Sequence, residues 1–235
     1  MMKRILFATD LDNTLLFSHR HRQPGDRCAE LWNGAEQGFF TPETVDLLPQ
    51  AARQVRLLPI TTRSIAQYQR IRWPAGALPR EALTANGAVL LRDGAIDRDW
   101  YDQSWELVRA HQGVLRDLLE RISAREDVTS ARIVENMYVY AACSDAAAAE
   151  RCAATWAQDA PFQMEVSGRK VYWFPPGIDK GTALRRAAGR YRPERILCAG
   201  DSVIDVPMLR RADLAMIPDG TLLPALPAER TLVCQ

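Results

Sequence analysis

The chain has 235 residues, 47% of them hydrophobic and 25% charged, which suits one large or two modest domains with a buried core. Lys and Arg total 30 against 29 Asp and Glu, so neither nucleic acid nor an anionic membrane is expected as the main partner. No apolar run approaches the roughly 20 residues of a membrane span, and the run Ile5 to Ala8 is shorter than a signal-peptide core of about 7–15, so a cytoplasmic protein is expected.

Lys3 to Thr9 (KRILFAT) is a short apolar run ending at Asp10 and reads as a buried strand. Phe17 to Phe40 then separates it from its helix by more than the roughly 2–6 residues of an ordinary strand-to-helix loop. Long loops at the carboxyl end of a strand carry function more often than not. Within this one, His19-Arg-His-Arg22 reads as a solvated, charged stretch rather than a metal site, and Cys28 is one of five cysteines (with Cys143, Cys152, Cys198 and Cys234) that form no C-x-x-C pair. Neither a disulfide framework nor a structural zinc is indicated.

Thr41-Pro-Glu-Thr opens a helix with proline at its first position, and Val55 to Thr61 (VRLLPIT) is a second buried strand. From 86 to 174 the alternation breaks. Turn signals at Asn86-Gly87 and Asp93-Gly94 precede a helical pattern from Ser104 to Ile122, a strand-like run from Ala131 to Ala142 and an alanine-rich helix from Asp145 to Gln158. Two more strand-like runs, Phe162 to Val166 and Lys170 to Phe174, flank Ser167-Gly168. A helix then begins at Asp179 and ends near Gly189, followed by strands at Arg195 to Gly200 and Leu214 to Pro218. This order predicts an α/β fold, a doubly wound parallel sheet built from 1–85 and 175–235, with 86–174 inserted as an α+β module. Ligands of such sheets lie outside the carboxyl ends of the strands, where Asp10, Thr61 and Asp201 fall.

Asp10 and Asp12 stand one residue apart at the end of the first strand. Side chains i and i+2 of a strand share a side, so the two charges would oppose each other unless a divalent cation compensates them or the chain turns after Asp10. Four separated pieces bear on this: Asp10-Leu-Asp12-Asn13-Thr14, Thr61-Thr62-Arg63, Gly177-Ile-Asp-Lys180-Gly and Gly200-Asp201-Ser-Val-Ile-Asp205. In this order, each at a strand end or helix start, they resemble the four motifs of the haloacid dehalogenase (HAD) superfamily of phosphohydrolases, whose core is a Rossmann-like sheet. The position of the insert resembles the C2 class of cap, shared with Cof-like sugar phosphatases, sucrose-phosphate phosphatase and mannosyl-3-phosphoglycerate phosphatase. LPITTRSIAQYQRIRWP, with CAELWNGAEQGFFT before it and LTANGAVLL after it, further resembles the phosphatases encoded with tellurite-resistance and stress-response modules.

The resemblance implies a phosphomonoesterase that uses Mg2+ and acts on a small phosphorylated metabolite, a sugar phosphate or a nucleotide-like phosphate. Asp10 would be the nucleophile that forms an aspartyl phosphate, and Asp12 the acid and then the base. Thr61 would bond a phosphoryl oxygen, and Lys180 would neutralise the crowded negative charge. Mg2+ would be held by Asp10, the backbone carbonyl of Asp12 and Asp201, with Asp205 completing or orienting the set. Ile204 departs from the common G-D-S-x-N-D pattern, which leaves the carboxylates intact. Asn13, Thr62, Arg63, Asn86, Arg169 and Lys170 are candidate substrate contacts. Gln67, Tyr68 and Arg70 either grip the remote end of a substrate or belong to an ordinary helix with Tyr68 and Ile71 inward. A phosphomutase uses the same nucleophile and acid, and a noncatalytic phospholigand-binding protein would keep the fold; the intact Asp10, Asp12, Lys180 and Asp201 favour catalysis.

Overall fold

The apolar N-terminal run forms strand β1 (Ile5–Thr9), with Leu6 and Ala8 buried on one side and Thr9 on the other, the two-sided burial of a parallel strand. The computed structural model describes residues 4–154 and 162–234. Two compact units divide the chain: Met1–Ile96 with Lys180–Gln235, and Asp97–Asp179.

In the first unit the expected loop 17–40 is instead a small antiparallel sheet of β2 (Phe17–Ser18), β3 (Arg27–Trp32) and β4 (Ala35–Phe40), in the order β2-β4-β3. Its hairpin turns at Asn33-Gly34, both residues left-handed at φ 49° and 79°, the conformation that an Asn-Gly turn favours. Phe39, Phe40 and Ala29 of this sheet are fully buried. Helix α1 (Pro42–Gln54) starts as expected at Thr41, whose hydroxyl accepts from Thr44 N–H at 3.2 Å. After β5 (Arg56–Pro59), the short helix α2 (Ile65–Gln69) is fixed by a reciprocal Ser64–Gln67 capping box.

Strands β6 (Glu81–Thr84), β7 (Val89–Arg92) and β8 (Ala95–Ile96) follow as an antiparallel meander. Thr61 N–H donates to Leu83 C=O at 2.9 Å, which ties β6 to the end of β5. Residues 86–96 therefore pack with the first unit, and the insert begins at Asp97 rather than at 86. Its other boundary falls at 179/180 instead of 174/175.

The second unit holds α3 (Arg98–Val108), α4 (Gln112–Ser123), β9 (Val128–Val134), β10 (Tyr138–Cys143), α5 (Ala146–Ala154), β11 (Gln163–Ser167) and β12 (Lys170–Phe174). The strands make one antiparallel sheet, β11-β12-β10-β9. Val139, Ala141, Val171 and Trp173 alternate onto the face that packs against Leu115, Leu118 and Ile122 of α4 and Ala148, Ala149 and Cys152 of α5. The helix expected over Ser104–Ile122 is two helices broken by a tight turn at Arg109–His111, and the run Ala131–Ala142 is a hairpin reversed at Glu135 and Asn136, both left-handed. Residues 155–158 of the expected alanine-rich helix lie outside the described residues.

The chain returns to the first unit through α6 (Lys180–Tyr191), β13 (Arg195–Ala199), α7 (Val206–Leu209), β14 (Leu214–Ile217) and β15 (Thr231–Val233). The central sheet runs β15-β14-β13-β1-β5 with every pairing parallel, which is the Rossmann-like core expected. Among the described residues no helix is long and apolar enough to cross a membrane.

The start of α6 lies directly against α7. A Cβ at Gly181 would meet Pro207 O at 2.4 Å, a backbone atom that cannot swing aside. Gly181→Ala is therefore expected to lower stability by about 1–3 kcal/mol, the usual range for overpacking, in urea denaturation, whereas Gly189→Ala, whose Cβ would meet nothing within 4 Å, is expected not to.

Candidate active site

Asp10 continues the pairing of β1 one residue past its end, its N–H donating to Ala199 C=O at 2.9 Å. The chain then turns sharply: the N–H groups of Thr14, Leu15 and Leu16 all point to Leu11 C=O, at 3.2, 3.0 and 2.8 Å, and Asn13 is left-handed at φ 60°. This turn separates the two carboxylates. Asp10 points into a buried cluster, and Asp12 points to Arg63.

The buried cluster is centred on Lys180, the first residue of α6, which is 1% exposed. Its ammonium donates to the Asp10 carboxylate and, at 2.5 Å, to Asp205 Oδ1. The second oxygen of Asp205 accepts from Ser202 Oγ at 2.9 Å and from the N–H groups of Ser202 and Asp201 at 3.1 and 3.2 Å. Gly200 makes room for this loop, since a Cβ there would meet Asp205 Cβ at 2.5 Å. Asp201 is held more loosely, with Asn13 Nδ2 and Thr14 Oγ1 each 3.4 Å away.

Burial pushes the Asp10 carboxyl up to about 8 against the pull of Lys180, with Asp205 and Asp12 adding to the rise. Burial and the nearby Asp205 likewise raise Asp201 to about 6, while Lys180 and Asn13 oppose them. Burial alone would depress Lys180, but Asp10 and Asp205 outweigh it and hold the ammonium above its ordinary range. One lysine thus does not balance three carboxylates. Asp10, Asp201 and Asp205 each offer an oxygen, all within 4.8 Å of one another, and a hard-oxygen set with surplus negative charge fits a small divalent cation.

Thr61, beyond the end of β5, is fully buried, and Ile60 N–H donates to Thr9 C=O at 2.8 Å, so Thr61 lies at the same sheet edge as Asp10. Its hydroxyl accepts from Arg63 N–H at 3.2 Å. The buried Asn86 is tied to the same strand end: its N–H reaches Thr61 C=O at 2.8 Å, and Ala85 N–H reaches Arg63 C=O at 2.8 Å. Thr62 is half-buried there. Arg169 and Lys170 lie in the second unit at the turn before and the start of β12, both exposed, with Arg169 Nη1 3.5 Å from Ser144 C=O. Tyr68 and Ile71 are buried, as in an ordinary helix packed inward.

The Arg63 guanidinium is turned to protein groups. Its Nε and Nη2 donate to Asp12 Oδ2 and Oδ1 at 3.0 and 2.7 Å, a two-pronged fork, and its Nη1 donates to Glu30 Oε2 at 2.8 Å. Glu30, on β3, is a buried carboxylate that the motif reading does not include. The available signal was an acid within the apolar hairpin CAELWNGAEQGFF, marked by its Asn-Gly turn.

No protein-family model matches the chain, and no curated protein does. Solved structures do match. The sucrose-phosphatase of Synechocystis sp., in complex with sucrose and phosphate, aligns over 100% of this chain and 93% of its own at 19% identity, with a TM-score of 0.63. A trehalose-6-phosphate phosphatase related protein aligns over 90% and 85% at 17% identity, with a TM-score of 0.55. A haloacid dehalogenase-like hydrolase from B. subtilis aligns over 92% and 89% at 18% identity, with a TM-score of 0.54. The chain shares its fold, a parallel central sheet in a mixed α/β chain, with these structures.

Asp205 and Asp201 differ in what they hold. Asp205→Ala leaves a buried ammonium short of a partner and two N–H groups without their acceptor, and is expected to lower the stability of the metal-free protein by about 3 kcal/mol in urea at pH 7. Asp201→Ala is expected to leave it unchanged or raise it slightly, because Asp201 makes only two long side-chain bonds and burial disfavours its ionised form. Equal losses would show that Asp205 does not anchor Lys180.

Proposed function

We propose that the chain is a cytoplasmic, Mg2+-dependent phosphomonoesterase that hydrolyses a small phosphorylated metabolite, with a sugar phosphate as the first candidate, through an aspartyl phosphate on Asp10. The observation that carries this reading is the divergence of the two carboxylates: Asp10 is paired with a buried lysine at the sheet edge, and Asp12 is turned away and held separately. The solved structures support it, since those of similar fold include a sucrose-phosphatase and a trehalose-6-phosphate phosphatase related protein. The likeness of the segment around Thr61 to phosphatases of tellurite-resistance modules belongs to the same proposal.

In this reading an Asp10 carboxylate oxygen attacks phosphorus while the bond from phosphorus to the ester oxygen breaks. Asp12, protonated from solvent once substrate binding frees one of its oxygens from the Arg63 fork, gives that proton to the leaving alkoxide, which departs as an alcohol. Asp12, now ionised, accepts a proton from water as that water attacks the phosphoryl group, which returns Asp10 as a carboxylate and yields inorganic phosphate. Lys180 fixes the orientation of Asp10 and offsets the charge that gathers around it. Asp10, Asp201 and Asp205, with the backbone carbonyl of Asp12, are the groups to hold Mg2+, whose charge when bound neutralises the crowded oxygens. Thr61 and the adjacent backbone would bond a phosphoryl oxygen, with Asn13, Thr62 and Asn86 as further candidates.

The inserted unit is proposed as the cap that selects the leaving group. On the sheet face away from α4 and α5, Tyr140 and Tyr172 lie 5.4 Å apart, and the Arg132 guanidinium sits 4.5 Å over the Tyr140 ring. Rings and cations together suit a polyhydroxylated group with apolar faces and many oxygens.

Phosphate release from a panel of phosphorylated metabolites tests the reading. EDTA is expected to abolish turnover while circular dichroism stays unchanged, because the core beneath the site is apolar and independent of the metal. Asp10→Asn is expected to lose essentially all activity. Asp12→Asn is expected to lower kcat/KM by about 10²–10⁴-fold with alkyl phosphates, whose leaving group needs a proton, and far less with p-nitrophenyl phosphate. Full activity in EDTA, or an equal Asp12→Asn loss with both leaving groups, would overturn the assignments. Retention of the phosphoryl group on added sugar would identify a mutase instead.

A further inference from the structure

Glu30 is a carboxylate at the base of the β3–β4 hairpin, its side chain only 4% exposed. A buried carboxylate is tolerated only when its charge is paired, and here each oxygen takes a separate guanidinium. Oε2 accepts from Arg63 at 2.8 Å, and Oε1 accepts from Arg70 Nε at 2.9 Å and Nη2 at 2.8 Å. Arg70 ends α2 and lies 4.4 Å over the ring of Trp32, near the hairpin tip. The far side of Arg63 carries the fork to Asp12.

The four residues form a row, Arg70–Glu30–Arg63–Asp12, most buried at Glu30 (4% exposed) and opening to Arg70 (26%) on one side and through Arg63 (12%) to Asp12 (41%) on the other. The more open end is Asp12, the general acid of the reading above. The hairpin is shaped around the buried carboxylate: Gly38 lies directly across the ladder from Glu30, and a Cβ there would come 3.3 Å from Glu30 Oε2 and 3.2 Å from Leu16. Arg72 N–H donates to Ala29 C=O at 2.7 Å, which ties the segment after α2 to the strand that bears Glu30.

We infer that Glu30 is a positioning residue for proton transfer: it holds Arg63 from behind, and through Arg63 it fixes the Asp12 carboxylate. The inference rests on the phosphomonoesterase reading above. Asp12 stands on a turn with much of its side chain in solvent, where a carboxylate left alone samples several rotamers. Both prongs of the fork act on it only if the guanidinium plane is itself fixed, and the contact at Nη1 fixes it. A glutamine at position 30 has one acceptor oxygen and would turn an NH2 toward the other guanidinium, so it cannot hold both arginines.

The alternative is that Glu30 merely staples the hairpin to α2, and the two roles separate in kcat/KM, which reports the steps through departure of the leaving group. A misplaced general acid is expected to reduce kcat/KM of Glu30→Gln by about 10–100-fold with an alkyl phosphate, against less than about threefold with p-nitrophenyl phosphate. On an Asp12→Asn background the same substitution is expected to change kcat/KM for the alkyl phosphate by less than about twofold. Arg70→Gln, a milder change at a more exposed position, should show the same leaving-group bias at about 3–10-fold, and serves if Glu30→Gln does not fold. Equal losses with both leaving groups, or a full additional loss on Asp12→Asn, would overturn the inference. If the wild-type protein releases phosphate from nothing, the phosphatase reading fails, and ¹⁵N NMR of the Arg63 Nε–H decides the positioning role. Slow exchange in the wild type and fast exchange in Glu30→Gln supports it, and unchanged exchange overturns it.

Discussion

The contact of Lys180 with Asp10 and Asp205 is the constraint around which the first unit is arranged. An ammonium in a nearly dry site is tolerated only with carboxylates against it, and those carboxylates come from the end of β1 and from the loop after β13. Drawing them together pulls the start of α6 onto α7 and the Gly200 backbone onto Asp205. A Cβ at Gly181 would collide with Pro207 O and one at Gly200 with Asp205 Cβ, so glycine stands at both places beside the cluster. The charge cluster and the close packing are thus one feature.

The same edge of the sheet gives two carboxylates, one residue apart, opposite surroundings. Asp10 is buried among other carboxylates with one lysine, so its proton affinity is raised, while Asp12 is half in solvent and forked by an arginine. Divergent environments for paired acids are a common route to separate chemical roles. The cause lies in the backbone: three N–H groups converge on Leu11 C=O and turn the chain before the strand can place both side chains on one side.

Much of this was legible in the chain itself. Runs such as ILFAT and RILCA are apolar on both faces and bounded by turn residues, so the parallel strands could be read, and Thr41-Pro gave the start of α1. The carboxylates and lysine of the cluster stood out because each follows such a strand or opens a helix. Less legible were short strands with few apolar positions, β2 and β15, and the hairpin of β9 and β10, whose continuous strand-like run hid a reversal at Glu135 and Asn136. The boundary of the insert moved because β7 and β8 are bound by pairing to β6, which local composition does not reveal. Arg63, a candidate substrate contact, donates to Asp12 and Glu30, 51 and 33 positions away, as well as to the nearby Gln67 carbonyl. An ion pair of that separation leaves no periodic trace.

Lys180 and Asp10 are 170 positions apart, and the whole inserted unit lies between them. The entropy of closing such a loop grows only with the logarithm of its length, about 0.6 kcal/mol for each doubling, so the contact is nearly indifferent to how much chain intervenes. The inserted unit has a core of its own, built from residues of α4, α5 and its own sheet. It can therefore be lengthened, shortened or replaced over evolutionary time without dismantling the cluster that joins the two ends.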